Sequence, residues 1–308
     1  MMDIETDIVV VGAGTAGMTS GLYAARGGMK VIVLEGEGYG GQIVVSPEVE
    51  NYPGIANISG YDFSERLYKQ MMACGAEYKQ IKVEAIEGEF GSFKVIAGTE
   101  TFDTKAVILA TGVKNRKLGL PNEERMTGLG VSYCATCDGN FFRKKTVAVN
   151  GGGNTALEDA IFLAKICEKV YVIHRRDQFR GEDAYVNQLK ALDNVELLTP
   201  YTVASINGDE RVSSLTLKEA STGATKDIDV NGLFVAIGQT PDNQAFADLV
   251  DLDEAGYIKA SEDTYTSKKG IYAAGDCRTK DVRQLATAAG DGAVAATEAV
   301  NYINNIIK

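Results

Sequence analysis

The sequence predicts an α/β chain made of two Rossmann-like βαβ nucleotide-binding domains, the second inserted into the first. Three observations carry this. The apolar run Ile8 to Val11 leads into the glycine turn Gly12-Ala13-Gly14-Thr15-Ala16-Gly17, and Thr146 to Asn150 leads into a second, Gly151-Gly152-Gly153-Asn154-Thr155-Ala156. Each turn opens a helical stretch followed by another apolar strand, the order of a βαβ unit. Each unit later closes on a buried strand that ends in a small-residue turn, Val107-Ile108-Leu109-Ala110-Thr111-Gly112 and Leu233-Phe234-Val235-Ala236-Ile237-Gly238.

The elements follow in order. Ile8 to Val11 is a run of β-branched residues, the pattern of a strand buried on both faces. A helix from about Ala16 to Arg26 and a strand from Lys30 to Glu35 complete the first unit. In the second unit the helix runs to about Lys165 and the next strand from Lys169 to His174. Glu35 follows Gly12 by 23 positions and His174 follows Gly151 by 23, so the two units share one length. After the second closure the chain carries Ile271-Tyr272-Ala273-Ala274-Gly275-Asp276, a segment similar to the second fingerprint of FAD enzymes. Asp276 can complete the first nucleotide site only if the chain returns to the first domain. The expected domains are therefore 1–113 with 243–308, and an insertion over 114–242. The crossings, Leu118-Gly119-Leu120-Pro121 outward and Gly238-Gln239-Thr240-Pro241 back, fit hinge strands and fit ordinary loops equally well.

Composition excludes several function classes. With 308 residues, 45% of them hydrophobic, the chain can bury two ordinary cores. A net charge of -11 with no basic stripe argues against a nucleic-acid partner. No apolar run approaches the roughly 18 residues of a membrane span. The charged start Asp3-Ile4-Glu5-Thr6-Asp7 lacks the pattern of a secretory signal, and five cysteines with only two closely spaced do not form a secreted disulfide framework. A cytoplasmic location is expected. A closed zinc site needs four ligands, whereas Cys74, Cys167 and Cys277 are scattered and the single histidine, His174, lies in an arginine motif. No metal is expected, and an iron–sulfur cluster fails on the same ligand count.

The ends of the second strands assign the cofactors. Glu35 is a lone carboxylate that can accept hydrogen bonds from an adenosine ribose and would repel a 2′-phosphate. In the other unit His174-Arg175-Arg176 takes that place, with Arg180 expected one helical turn further on. Arginine forks match phosphate oxygens, and bonds to charged groups contribute about 1.5–3 kcal/mol each, so two or three would favour NADPH over NADH by powers of ten. Between the two glycine turns lies Cys134-Ala135-Thr136-Cys137-Asp138. A redox-capable thiol pair beside two nucleotide sites implies electrons passing from one cofactor through another to sulfur.

At this point the chain resembles the small, bacterial type of thioredoxin reductase over essentially its whole length. The most specific pieces are Val131-Ser132-Tyr133-Cys134-Ala135-Thr136-Cys137-Asp138-Gly139 and His174-Arg175-Arg176-Asp177-Gln178-Phe179-Arg180. Gly40-Gly41-Gln42, Glu50-Asn51-Tyr52-Pro53-Gly54, Phe234 to Pro241 and Arg283-Gln284 add to the match. The resemblance implies a homodimer with FAD in the discontinuous domain and NADPH in the inserted one. For FAD it implies Gly12, Gly14, Thr15 and Gly17 at the pyrophosphate and Glu35 on the ribose. Gly41, Gln42, Asn51, Thr111, Gly112, Asp276, Arg283, Gln284 and Leu285 would complete that site. For NADPH it implies Gly151, Gly153, Asn154, Thr155, His174, Arg175, Arg176, Arg180, Ile237 and Gly238. Three departures stand out: Asn150 in place of an aliphatic residue, Thr15 where proline is common, and Val282 where an aromatic is frequent.

The resemblance also implies roles. Hydride passes from NADPH to the flavin, and the Cys134–Cys137 disulfide is reduced next. Cys137 is the thiol beside the flavin, and Cys134 attacks the disulfide of thioredoxin or a thioredoxin-like protein. Related enzymes use a histidine near the chain end for proton transfer; here Asp138 is the family's acid/base, although an aspartate before Gly139 also suits a turn. Because the thiols and NADPH share one domain and both must reach the flavin, that domain is expected to rotate between half-reactions. Competing readings are the reductase of a peroxide-removing system, a ferredoxin-linked relative, and a non-catalytic redox sensor. The first usually carries an extra N-terminal thiol-transfer domain, which this chain is expected to lack, although a free-standing partner could substitute. The ferredoxin-linked relatives would lack Cys134 and Cys137, or Arg175, Arg176 and Arg180. A sensor would not need thiols, Asp138 and arginines together.

Overall fold

The structure, a computed structural model, describes residues 2–89 and 91–306. The chain forms two compact units, one of Met1–Val44, Tyr52–Lys114 and Thr240–Lys308, the other of Val45–Asn51 and Asn115–Gln239. The short segment Val45–Asn51, inside the first unit by sequence, packs with the second.

The first unit is built on a five-stranded parallel sheet ordered Ile271–Ala273, Ala106–Leu109, Ile8–Val11, Val31–Glu35, Glu77–Gln80. Its strands are apolar on both faces because both faces are covered. Ile8, Val10, Val31, Val33, Ala106 and Ile108 point into one core with Met18 and Leu22 of helix Thr15–Arg26, Met71 of helix Gly60–Ala73 and Ala295, Ala299 and Ile303 of helix Leu285–Ile306. The alternate residues Val9, Val11, Ile32, Leu34, Val107 and Leu109 meet Phe93, Val95 and Phe102 of a four-stranded sheet on the other side. The period of two in a strand thus divides each strand between two cores.

The second unit repeats the plan. Its parallel sheet is ordered Val131–Ser132, Gly232–Val235, Thr146–Asn150, Lys169–Ile173, Val195–Leu198. Val147, Val149, Val170 and Val172 face helices Asn154–Ala164 and Asp183–Lys190, while Ala148, Ile173, Leu233 and Val235 face the antiparallel strands Tyr201–Asn207, Ser214–Glu219 and Thr225–Asp229. In both sheets the closing strand lies between the first strand of the unit and an edge strand. That edge strand comes from beyond the insertion in one case and from ahead of the first strand in the other. The two crossing segments, Val113–Asn115 and Gln239–Pro241, pair with each other as a two-stranded ribbon.

The repeat extends to single atoms. Gly12 N–H donates to Leu34 O and Gly151 N–H to Ile173 O; Ala110 N–H donates to Val11 O and Ala236 N–H to Asn150 O. A Cβ on Gly12 would lie 2.3 Å from Ala110 O, and one on Gly151 would lie 2.3 Å from Ala236 O. A Cβ on Gly17 would lie 1.8 Å from Gly12 O. These glycines are required by backbone packed on backbone. In the cofactor-free protein Gly17→Ala is expected to cost about 3 kcal/mol, lowering Tm by several degrees in thermal unfolding; Gly14→Ala, whose Cβ meets no protein atom within 4 Å, should leave that Tm within about a degree.

Candidate active site

The redox motif starts where the edge strand Val131–Ser132 ends. Cys134 has extended backbone (φ −142°, ψ 103°) and caps the single helical turn Ala135–Asp138, its Sγ accepting from Cys137 N–H at 3.2 Å. Cys134 and Cys137 form a disulfide, with Cα atoms 5.3 Å apart. Both are partly exposed, and Ala135 between them is buried.

Asp138 is held from both sides. Its Oδ2 accepts from Ser132 Oγ at 2.6 Å, and its Oδ1 lies 3.2 Å from Ser46 Oγ. Ser132 Oγ also accepts from Cys134 N–H at 3.1 Å, so one hydroxyl links the Cys134 backbone to the Asp138 carboxyl. Burial pushes the Asp138 carboxyl above the ordinary range, and the hydroxyls of Ser132 and Ser46 pull the other way. Ser132 is 3% exposed, so its bonds do not compete with bulk water. The residue before Cys134 is fixed as well: Tyr133 hydroxyl donates to Glu123 Oε1 at 2.9 Å, and that buried carboxylate accepts the backbone N–H groups of Leu118, Gly119 and Leu120. Ser46, Ser132 and Glu123 escaped the sequence reading because no spacing rule links them to Asp138 or Cys134.

In the first unit the structure gathers Gly12, Gly14, Thr15, Gly17, Glu35, Gly41, Thr111, Gly112 and Asp276. Glu35 Oε2 accepts from Ala13 N–H at 2.8 Å and Oε1 from Glu37 N–H at 3.0 Å, bracing the glycine turn. Each oxygen keeps a lone pair for a ribose hydroxyl. A Cβ on Gly41 would come within 3.2 Å of Gly14 Cα, and one on Gly275 within 2.8 Å of Ala16 Cβ, so both outer loops close on the turn. Gln42 Nε2 donates to Val113 O, Thr111 Oγ1 to Asn243 Oδ1 at 2.7 Å, and Leu285 begins the last helix, where Gln284 N–H meets Thr287 Oγ1. The Arg283 guanidinium lies 4.4 Å over the Tyr257 ring. Asn51 belongs to the segment that packs with the second unit.

This set fits FAD. Asp276 Oδ1 and Arg283 Nε are buried with no hydrogen-bond partner among the described residues. Such orphans cost about 1–3 kcal/mol each unless a ligand completes them, and a polyhydroxyl, phosphate-bearing molecule offers both donors and acceptors.

The second turn has the same open centre: a Cβ on Gly153 would meet nothing within 4 Å. Asn154 heads the helix with its Oδ1 accepting from Glu182 N–H at 2.8 Å, and Thr155 follows it exposed. Ile237 and Gly238 leave the closing strand, Gly238 at φ +104° with its carbonyl accepting from Arg116 N–H. Arg175, Arg176 and Arg180 are all exposed. Arg180 does not sit a helical turn on: residues 174–182 form an irregular loop, because Arg180 and Gly181 N–H groups both bond to Gly152 O (2.7 and 3.0 Å) and fold the loop back onto the glycine turn. His174 is 6% exposed, stacked on Phe179, and its ring fills the space beside Gly152, where a Cβ would lie 2.2 Å from Nδ1. Burial pushes its pKa down; a backbone hydrogen bond with Gln178 works the other way, and the charges of Arg180, Arg175 and Arg176 add to the lowering. The middle glycine of Gly151-Gly152-Gly153 leaves the room that the ring occupies.

Removing the Ser132 hydroxyl takes a bond away from the ionised form of Asp138, so its pKa rises further. Ser132→Ala is expected to keep Asp138 protonated to higher pH, moving the alkaline limb of thiol–disulfide exchange upward in stopped-flow thiol assays with little change on the acid side. A profile that superimposes on the parent's would remove Ser132 from the proton path.

Comparison with known proteins extends these observations. Residues 6–293 match the family described as Pyridine nucleotide-disulphide oxidoreductase. A thioredoxin reductase from Mycolicibacterium smegmatis is 40% identical over 299 residues, spanning 96% of each chain. One from Peptoclostridium acidaminophilum is 42% identical over 312 residues, spanning 98% of each. The crystal structure of thioredoxin reductase from Streptococcus pyogenes superimposes with a TM-score of 0.94 at 38% identity, covering 99% of this chain and 100% of that one. With family coverage nearly end to end and a disulfide formed at the paired cysteines, the chain belongs to the pyridine nucleotide-disulphide oxidoreductases, among the thioredoxin reductases.

Proposed function

We propose that this chain is an NADPH-dependent thioredoxin-disulfide reductase whose electrons leave through Cys134 and Cys137. The observation that carries the reading is the disulfide between these residues, with Asp138 hydrogen-bonded to the serine that also receives Cys134 N–H. FAD, when bound, supplies the two-electron relay between the nicotinamide and the disulfide.

The residues divide the remaining work. Arg175, Arg176 and Arg180 present their guanidinium groups to a 2′-phosphate, and the open faces of Gly153 and Gly14 let nucleotide phosphates approach helix N-termini. Reduction cleaves the Cys134–Cys137 bond and leaves two thiols. The Cys134 thiolate, steadied by Cys137 N–H, attacks a disulfide sulfur of thioredoxin or a thioredoxin-like protein and forms a mixed disulfide. Asp138 gives a proton to the departing partner thiolate. Cys137 then attacks the Cys134 sulfur, restoring the internal disulfide and releasing the partner as a dithiol.

The second unit carries both the thiols and the arginines, which supports rotation of that unit about the paired crossings between half-reactions. The left-handed Gly238 and the ribbon of Val113–Asn115 with Gln239–Pro241 supply defined pivot strands. The same reading makes the enzyme a cytoplasmic homodimer, with no nucleic-acid or membrane partner. No helix among the described residues is long and apolar enough to cross a membrane.

Purified protein should be yellow, bleach at least tenfold faster with NADPH than with NADH, and recolour on adding oxidised thioredoxin. Bleaching without recolouring would favour the redox sensor or a different acceptor. The double variant Arg175→Ala/Arg176→Ala should raise KM for NADPH by about tenfold or more while KM for NADH changes less than about twofold. Cys137→Ser should trap the partner in a mixed disulfide through Cys134, visible on non-reducing gels.

A further inference from the structure

A cluster of buried charges lies behind Asp276. Asp291, on the last helix and 6% exposed, accepts four hydrogen bonds: Arg278 Nη2 on Oδ1 at 2.9 Å, and Arg278 Nε, Gly275 N–H and Lys280 Nζ on Oδ2 at 2.8, 2.9 and 2.9 Å. Arg278, 1% exposed, spends its remaining N–H groups on the carbonyls of Ala260 and Thr279 and on Glu262. It has nothing left for a ligand.

Lys280 differs. Its side chain is 5% exposed, and its one hydrogen-bond partner among the described residues is Asp291, although an ammonium carries three donors. Because Lys280 Nζ and Gly275 N–H meet on the same oxygen, the ammonium lies within two hydrogen bonds of the turn that bears Asp276. That turn touches Ala16 in the first turn of the helix that follows the first glycine turn. The ammonium therefore has unused donors near a carboxylate oxygen that is itself buried and unpartnered. Burial pushes the Asp276 carboxyl above its ordinary range, and the Lys280 charge works against that shift.

We propose that Lys280 is a further FAD-binding residue, held by Asp291 and offering its free N–H bonds to the phosphate- and hydroxyl-bearing part of the cofactor that Asp276 also meets. The proposal rests on the reading of the first unit as an FAD site. Asp291 is then a positioning residue: it holds the ammonium and the Gly275 backbone together on one oxygen.

The test is FAD dissociation from the holoprotein, followed by flavin fluorescence on dilution, for the parent, Lys280→Met and Lys280→Arg, with far-UV circular dichroism melts of the stripped proteins. Lys280→Met should weaken FAD binding about tenfold or more, with a lower apoprotein Tm from the lost Asp291 pair, and Lys280→Arg should recover most of the affinity. Equal affinity for the parent and Lys280→Met would overturn the proposal, as would equal loss in both variants together with a lowered apoprotein Tm, which marks a packing role only. If the parent itself takes up no FAD, the FAD reading fails first, separately from the role of Lys280.

Discussion

The constraint on which the structure depends is the contact of backbone on backbone at the two glycine turns. At Gly12 against Ala110 O and at Gly151 against Ala236 O there is no room for a side chain. Those contacts seat the closing strand beside the first strand of each unit and fix where each turn opens. From that follow the opposed placement of Glu35 and His174, the open faces at Gly14 and Gly153, and the position of the loops that reach toward each site. The contact is steric, so loss of a ligand does not relieve it.

The two units use one backbone plan for different chemistry, and the difference lies in a few side chains. In the first, Glu35 spends a carboxylate oxygen on Ala13 N–H and so puts negative charge at the end of the strand. In the second, the equivalent space is filled by a histidine ring over Gly152, and the charge is carried by arginines on a loop that Gly152 O pins by two bonds. A carboxylate at the strand end in one unit suits a ribose hydroxyl, and arginines on the loop after the strand in the other suit a phosphate.

Much of this was legible in the sequence because it rests on local pattern. The β-branched run Ile8 to Val11, the shared interval of 23 residues and the positions of the glycines belong to one continuous stretch in each unit, where period and spacing map directly onto geometry. The rest was not legible because it depends on chain segments far apart. Ser46 reaches Asp138 across 92 residues, and Asp291 holds Gly275 from a separate helix. Arg180 departs from the expected helical position because Gly152 O captures its N–H, a contact with no local sign. The His174 ring meets Gly152 only in the folded chain, so the packing role of the middle glycine has no local sign.

The central claim, that reducing power taken from NADPH emerges on Cys134 and Cys137, is tested most directly by counting alkylated cysteines. Holoprotein treated anaerobically with NADPH, quenched with an alkylating reagent and analysed by peptide mass spectrometry should show both Cys134 and Cys137 newly labelled, with Cys167 and Cys277, both buried, unchanged. A Cys134–Cys137 disulfide that survives while the flavin is fully bleached would contradict the account.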